Sequence, residues 1–167
     1  MDINHQIIIS LLIIITIQTA LHIITILKLK WGQVVQGGLE IGDKIPNVDF
    51  NNVDGDIKGI YDNVLGNKNT LVFLDLDCKE CNKVFSSLDV FNISYLSEIK
   101  LVLIKTEKNF KYMSNSVYKD RALFIDEDII INKFNIDVFP FAMRVDESGK
   151  VEENSHITKE NLINYIT

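Results

Sequence analysis

The sequence predicts an α/β fold, with a mixed central sheet flanked by helices, behind an N-terminal transmembrane helix. Three observations lead to this prediction. Apolar residues concentrate in one long run near the amino terminus, whereas the rest of the 167 residues mix apolar and charged positions. Short apolar, β-branched runs then alternate with stretches of helical spacing. Their order, β-α-β followed by β-β-α, indicates parallel strands in the first half and an antiparallel hairpin in the second.

The composition excludes several classes of protein. With 47% hydrophobic residues, 24% charged residues and a net charge of −6, the chain is neither a disordered tail nor a basic protein that binds nucleic acid. Eight glycines and two prolines exclude a collagen-like fibre. Two cysteines are too few for a disulfide-dense secreted scaffold. A globular domain without a nucleic-acid partner is therefore expected.

The first helix is predicted from the run Ile7–Leu27, which contains no Asp, Glu, Lys or Arg. As a helix, its roughly 21 residues would span about 31 Å, the thickness of a bilayer core. The start, Met1–His5, lacks Lys and Arg, and no A-x-A cleavage site follows the run, which favours an uncleaved anchor over a signal peptide. A buried core helix is the alternative. We expect a membrane anchor at 1–30 that contacts lipid through residues 7–27, a tether at 31–40, and a domain at 41–167.

Seven strands and three helices are predicted in the domain. Thr70–Leu74 and Leu101–Ile104 are continuous apolar runs, which is typical of central strands buried on both faces. Turn residues at 52–55 and 146–149 connect two predicted hairpins. The predicted strands are Asn47–Phe50, Ile57–Tyr61, Thr70–Leu74, Leu101–Ile104, Leu123–Ile125, Phe141–Val145 and Val151–Glu153. The predicted helices are Cys78–Ser97, Glu127–Phe134 and a last one capped by Thr158, with Leu162, Ile163 and Ile166 facing inward.

The candidate chemistry lies at Cys78-Lys79-Glu80-Cys81, between a predicted buried strand and a predicted helix. Positions i and i+3 share one face of a helix, so the two sulfurs can reach disulfide distance. The helix dipole favours an anion at Cys78, which predicts that Cys78 attacks a substrate disulfide and Cys81 resolves the mixed disulfide. An inert pair or a stabilising disulfide is the alternative. A zinc site would need four ligands, and three scattered histidines are the main candidates besides the cysteines, so no metal and no other cofactor is expected.

Charged neighbours are predicted to tune the cysteine pair. Asp77 and Glu80 disfavour a thiolate and Lys79 favours one, because like charges raise the pKa of a thiol and opposite charges lower it. Two acids against one base predict a more reducing site than that of the strongest periplasmic oxidants.

Three short motifs follow one another along the domain. Gly42–Phe50 followed by Asp54-Gly55 matches a G-D-x-x-P-x-x-x-F…D-G entry hairpin, the cysteine pair comes next, and Val138–Phe141 follows with a single proline. In this order they resemble the thioredoxin superfamily, in its redoxin (AhpC/TSA, TlpA/ResA-like) branch of membrane-anchored thiol-disulfide oxidoreductases. The anchor and tether are also similar to those of the methylamine dehydrogenase accessory proteins.

The resemblance implies a thioredoxin-like fold and an enzyme that exchanges disulfides with proteins. It implies that Pro140 is a cis-proline whose loop, with Phe139, binds an extended substrate segment beside the cysteines. The implied partners are protein dithiol or disulfide substrates outside the cytoplasm and a membrane or thioredoxin-type electron partner. Lys28 and Lys30 follow the span and favour the opposite topology by the positive-inside rule. We give the resemblance more weight than these two charges and expect an extracytoplasmic domain.

The chain departs from the family beside the cysteines. Lys79 and Glu80 replace the Gly-Pro of thioredoxin. Val72 stands where thioredoxin has a buried acid, and the pattern does not show whether Asp75 or Asp77 faces the sulfurs. The likeness to the methylamine dehydrogenase accessory proteins also keeps open a non-catalytic assembly factor for a partner enzyme. A metal-delivery protein on the same fold, with Cys78, Cys81 and a histidine as ligands, is a further alternative.

Overall fold

The computed structural model describes residues 3–32, 37–90 and 95–166, and in the first helix it describes the side chains of residues 11–25. The chain forms two compact units, Met1–Gln36 and Gly37–Thr167. The second unit contains the sheet and both cysteines.

The described residues of the first unit form one helix, α1 (Ile3–Gly32). Its described leucine and isoleucine side chains are between 52% and 58% exposed. The hydroxyls of Thr16, Thr19 and Thr25 donate to carbonyl oxygens three or four positions earlier, so these polar groups are satisfied within the helix. Among the described residues, no helix combines the length and the apolarity needed to cross a membrane. The anchor at 1–30 stays a prediction.

The second unit consists of a seven-stranded sheet with helices on both faces. Its strands are β1 (Asp49–Asn51), β2 (Ile57–Gly59), β3 (Asn69–Leu74), β4 (Ile99–Ile104), β5 (Ala122–Ile125), β6 (Phe141–Val145) and β7 (Val151–His156). Its α-helices are α2 (Tyr61–Val64), α3 (Lys79–Ser87), α4 (Glu107–Ser114), α5 (Glu127–Phe134) and α6 (Ile163–Ile166). Short 3₁₀ helices cover Leu88–Val90, Tyr95–Glu98 and Lys119–Arg121.

The sheet is mixed, as predicted. The strand order is β2-β1-β5-β4-β3-β6-β7. The three central strands β5, β4 and β3 are parallel, and their outer neighbours pair with them antiparallel. The hairpins β1–β2 and β6–β7 form the two edges. Because the three central strands are parallel, their carboxyl ends lie on the same side of the sheet, where the loop from β3 to the cysteines begins.

The core lies on both faces of β3, which is buried at every position. Val72 and Leu74 face one cluster of apolar side chains, which includes Cys81. Leu71 and Phe73 face a second cluster on the opposite side. This alternation confirms the prediction of a central strand that is buried on both faces.

The helix predicted over Cys78–Ser97 is shorter in the structure. α3 ends at Ser87, whose hydroxyl donates to the carbonyl of Val84 at 2.6 Å, and a 3₁₀ turn follows. Leu96 is nevertheless buried, because the 3₁₀ helix Tyr95–Glu98 turns it inward. Phe91, which falls within the predicted helix, lies outside the described residues.

Two further differences concern helices. α4 was not predicted from the sequence, although Thr106 caps it by accepting a hydrogen bond from the N–H of Asn109 at 3.2 Å. The last helix was predicted to turn Ile163 inward, which is wrong, because this side chain is 46% exposed. A turn closed by the Asn161 side chain, which accepts the N–H of Thr158, delays the helix start and places Tyr165 in the core instead.

The beginning of the second unit is bound to the sheet and its helices. The N–H of Gly38 donates to the carbonyl of Asn135, and Asn154 donates to the carbonyl of Leu39. Gly38 has a positive φ of 95°, and a Cβ at this position would lie 2.7 Å from the ring of Phe141. Only glycine combines this backbone conformation with such a close approach.

Candidate active site

Cys78 occupies the N-cap position of α3, where the loop after β3 enters the helix. Its backbone is extended, with φ −82° and ψ 130°. Its N–H donates to the carbonyl of Asp75 at 2.9 Å, and its carbonyl accepts the N–H of Asn82 at 3.1 Å. The side chain is partly exposed and carries a free thiol. The nucleophile predicted from the sequence therefore sits on an accessible strand-to-helix junction.

Cys81 lies one helical turn later and is fully buried. The backbone N–H of Asp75 donates to its Sγ at 3.4 Å. Burial raises the pKa of Cys81 to about 12, and a side-chain hydrogen bond with Cys78 adds to the rise, whereas the Asp75 N–H opposes it. Cys81 is therefore a neutral thiol at neutral pH. The Cys78 and Cys81 side chains interact, but only that of Cys78 is accessible.

The two acidic residues that the sequence prediction placed next to the cysteines, Asp77 and Glu80, are both paired with lysines. Asp77 forms an ion pair with Lys108 from α4. Glu80 pairs with Lys83 within α3 at 2.7 Å. Lys79 is exposed. The prediction of a reducing site considered Asp77, Glu80 and Lys79 alone. It did not include Lys108 and Lys83, whose positive charges offset the two acids.

The structure distinguishes the two aspartates that the sequence left as alternatives. The Asp75 carboxylate lies near enough to Cys81 to contribute to the rise in the pKa of this thiol. It also accepts the N–H of Asp77 at 2.9 Å, which closes a local turn. Asp77 points instead to Lys108. Asp75 is thus the carboxylate beside the buried sulfur.

Asn82, which was not predicted as a site residue, holds the loop that carries Cys78. Its side-chain amide donates to the carbonyl of Leu76 at 2.9 Å and to that of Cys78 at 3.1 Å. Both loop carbonyls are thereby fixed to the first turn of α3. The available signal was an amide residue four positions after Cys78, a spacing at which an Asn side chain can reach back to a helix-terminal carbonyl.

The proline loop lies at the same edge of the sheet as Cys78. The Phe139–Pro140 peptide bond is cis, as the resemblance implied. Phe141 pairs with Phe73 in the antiparallel ladder, so the two residues before it extend past the carboxyl end of β3. Pro140 is buried, and its carbonyl accepts the N–H of Ile157 at 3.1 Å.

Phe139 differs from Pro140 in what its backbone contacts. Its side chain is partly buried and packs against both core clusters. Within the part of the chain that the structure describes, its backbone N–H and carbonyl have no hydrogen-bond partner. The edge of the sheet next to the cysteines thus offers one unpaired donor and one unpaired acceptor.

Metal ligands do not converge in the described regions. No three His, Cys, Asp or Glu side chains among these residues are arranged to hold a metal ion.

Comparisons with known proteins yield structural likeness only. The chain matches no protein-family model and no curated protein sequence. Solved structures do match. One is a protein named as a thiol:disulfide interchange protein DsbE from Chlorobium tepidum, with a TM-score of 0.61 and 21% identity, over 77% of this chain and 96% of that one.

Two further structures are similar to the chain. The pneumococcal exposed lipoprotein thioredoxin Etrx1 from Streptococcus pneumoniae has a TM-score of 0.56 and 15% identity, over 72% of this chain and 98% of that one. The thioredoxin domain of a thiol-disulfide oxidoreductase from Bacteroides vulgatus has a TM-score of 0.55 and 14% identity, over 77% and 99%. With its mixed sheet, its flanking helices and these neighbours, the chain has the thioredoxin-like fold.

Proposed function

We propose that this protein is a thiol-disulfide oxidoreductase that exchanges disulfides with protein substrates through Cys78 and Cys81. The observation that carries the proposal is the contrast between the two sulfurs at the start of α3. Cys78 is partly exposed and Cys81 is fully buried, yet the two side chains interact closely enough for Cys78 to raise the pKa of Cys81. A nucleophile needs access to its substrate, whereas a resolving thiol needs only to reach the nucleophile.

The reaction begins when the Cys78 thiolate attacks one sulfur of a substrate disulfide and the other sulfur leaves as a thiolate. Cys81 then gives up its proton, attacks Sγ of Cys78 and expels the second substrate thiolate. Two electrons pass to the substrate, and the enzyme keeps a Cys78–Cys81 disulfide. A dithiol protein must reduce this disulfide before the next cycle, and the same steps in reverse would oxidise a substrate.

Asp75 is the group that we propose accepts the proton of Cys81. A thiol with a pKa of about 12 needs a base before it can attack at neutral pH. The Asp75 carboxylate interacts electrostatically with this thiol, and it is partly buried. The burial of Cys81 also supports a reducing rather than a strongly oxidising site, because nothing among its described neighbours strongly stabilises a thiolate there.

Phe139 is the backbone partner that we propose for the substrate. Its unpaired N–H and carbonyl could pair with an extended segment of the substrate, which is a form of strand addition. The side chain of Phe139 packs into both core clusters, which supports a fixed position for this backbone. The cis-proline loop would thus align the substrate next to Cys78.

We also propose that α1 anchors the protein in the cell membrane, with the domain outside the cytoplasm. The run Ile7–Leu27 carries no Asp, Glu, Lys or Arg. The exposure of its described leucines and isoleucines, all above half, supports an apolar surrounding. Partial extraction of the full chain by carbonate washing of membranes would contradict the anchor, and an inactive alkaline phosphatase fused after Thr167 would contradict the topology.

The function is tested by equilibrating residues 37–167 with mixtures of reduced and oxidised glutathione. We expect a two-electron transition that converts both thiols to one intramolecular disulfide, measured by mass spectrometry after acid quenching. Reduction of insulin by the same fragment tests exchange with a protein. A pair that stays reduced in excess oxidised glutathione, or a fragment without insulin reductase activity, would contradict the proposal and favour a non-catalytic assembly factor.

A further inference from the structure

An open groove lies between α3 and α4 of the second unit, beside the loop that carries the cysteines. Its volume is about 610 Å³. Its lining includes the side chains of Phe85, Lys108, Lys111, Tyr112, Val117 and Tyr118. We call this surface the α3–α4 groove.

The floor of the α3–α4 groove is aromatic. The Phe85 ring packs edge-on against Tyr112 with centroids 5.7 Å apart, and against Tyr118 with centroids 5.6 Å apart. Tyr112 is 53% exposed and Val117 is 76% exposed, so the groove presents apolar surface to water. A contiguous apolar surface rimmed by polar residues is typical of an interaction site.

The two sides of the α3–α4 groove differ in charge. Lys108 and Lys111 stand three positions apart on one face of α4. Lys108 pairs with Asp77, whereas Lys111 forms no ion pair with any described residue. On the opposite side, the Asp89 carboxylate accepts the hydroxyl of Tyr118 at 2.8 Å. The α4 side is therefore the one that attracts a carboxylate.

The α3–α4 groove is continuous with the proposed active site. Lys108 lines the groove and also pairs with Asp77, which directly precedes Cys78. Phe85 lies seven positions after Cys78 in the chain, which is about 10 Å along a helix axis. An extended polypeptide covers about 3.3 Å per residue, so a segment of roughly three residues spans this distance.

We propose that the α3–α4 groove docks a segment of the protein substrate, and this proposal rests on the proposed function. An apolar side chain, about three residues from the reacting cysteine, lies on Tyr112 and Val117, the exposed apolar side chains next to the buried ring of Phe85. A carboxylate next to it pairs with Lys111. The groove thereby selects substrates in which an apolar residue and an acid lie at this distance from the cysteine. This selection adds to the pairing of the substrate backbone with the proline loop.

The test uses the full chain in detergent and short peptides whose cysteine carries 5-thio-2-nitrobenzoate as a mixed disulfide. When Cys78 attacks the peptide sulfur, the coloured thiolate leaves and reports the rate. In one set, Leu-Asp stands three residues before or after the cysteine, and in the other set the same residues are scrambled. We expect one of the spaced peptides to react about tenfold faster, which corresponds to partial burial of one leucine side chain.

Matched variants locate this preference on the protein. Val117→Asp should reduce the ratio between spaced and scrambled peptides to about one, whereas Ile41→Asp, at a site with similar exposure of 74%, should leave it unchanged. Lys111→Glu should reduce the ratio, and Lys133→Glu on α5 should not. Equal rates for all peptides, or a ratio that survives Val117→Asp, would overturn the proposal while leaving the exchange chemistry intact.

A binding measurement separates the groove from the chemistry. Fluorescein-labelled peptides with serine in place of cysteine cannot exchange, and their anisotropy reports docking alone. We expect the spaced peptide to bind more tightly than the scrambled one, and we expect Val117→Asp to abolish this difference in affinity. If this binding is present but no peptide exchanges, the proposed function fails and the groove stands. If neither spaced peptide binds more tightly, the groove proposal fails.

Discussion

The burial of Cys81 has a consequence for stability at alkaline pH. In the unfolded chain, the thiol releases its proton near its ordinary pKa of 9.0, whereas in the folded protein it keeps the proton up to about 12. A group with a raised pKa stabilises the fold below the unfolded pKa and loses this contribution as the pH rises toward the folded pKa. At pH 10 the thiolate form of Cys81 outnumbers the thiol form about tenfold in the unfolded chain. This ionisation stabilises the unfolded chain and lowers the free energy of unfolding by about 1.4 kcal/mol.

This loss is measured by urea unfolding of reduced residues 37–167 at pH 8 and pH 10. Other groups also titrate, among them Tyr118, whose pKa burial raises to about 12, so variants are compared by their change between the two pH values. Wild type should lose about 1.4 kcal/mol more than Cys81→Ala, because the variant has no thiol to ionise at this position. The cavity left by Cys81→Ala lowers stability equally at both pH values and cancels. Cys78→Ala, the control, should keep most of the wild-type loss.

An equal loss in wild type and in Cys81→Ala would refute the reasoning. It would mean that the thiol of Cys81 titrates alike in the folded and unfolded chain and is therefore not excluded from water. The assignment of Cys81 as the buried member of the pair would then fall, together with the need for a nearby base.

Two further predictions use matched pairs of substitutions, both read by urea unfolding. Asn82→Asp removes the donor to two loop carbonyls and should lower the free energy of unfolding by about 1–3 kcal/mol. The control Asn132→Asp removes one exposed hydrogen bond of the same i to i−4 type and should change the free energy of unfolding by about 0.5 kcal/mol. Equal changes in the two variants would show that the Asn82 amide does not hold the loop. Gly38→Ala should destabilise the protein by about 1–3 kcal/mol more than Gly55→Ala, because both have positive φ but only the new Cβ at Gly38 meets the Phe141 ring, and equal losses would contradict that contact.

The sequence predicts the parts of the fold that depend on neighbouring residues. The run at Thr70–Leu74 is β-branched and apolar without interruption, and such a pattern has few outcomes other than a central strand. The strand-to-helix junction at Cys78 follows from the same local pattern. The cis bond before Pro140 was expected only from the resemblance, because a local pattern does not distinguish cis from trans proline.

The parts that the sequence did not predict depend on residues distant in the chain. Lys108 pairs with Asp77 across 31 positions, and only the packing of α4 beside the cysteine loop brings the two together. α4 itself was missed because its buried face is formed by Asn109 and Met113 rather than by an apolar stripe. The inward turn of Tyr165 instead of Ile163 depends on where a turn ends, and helix boundaries are the least determined feature of a sequence pattern.

The central claim is that Cys78 is the nucleophile and Cys81 is the resolving thiol. Trapping of mixed disulfides tests this claim most directly. Cys81→Ser and Cys78→Ser are each incubated in reduced form with insulin, quenched with acid and analysed by mass spectrometry under non-reducing conditions. Cys81→Ser should accumulate an insulin adduct on Cys78, because no thiol remains to resolve it, whereas Cys78→Ser should form none, because the remaining thiol is fully buried. An adduct on Cys81 in Cys78→Ser, with none on Cys78 in Cys81→Ser, would contradict the account.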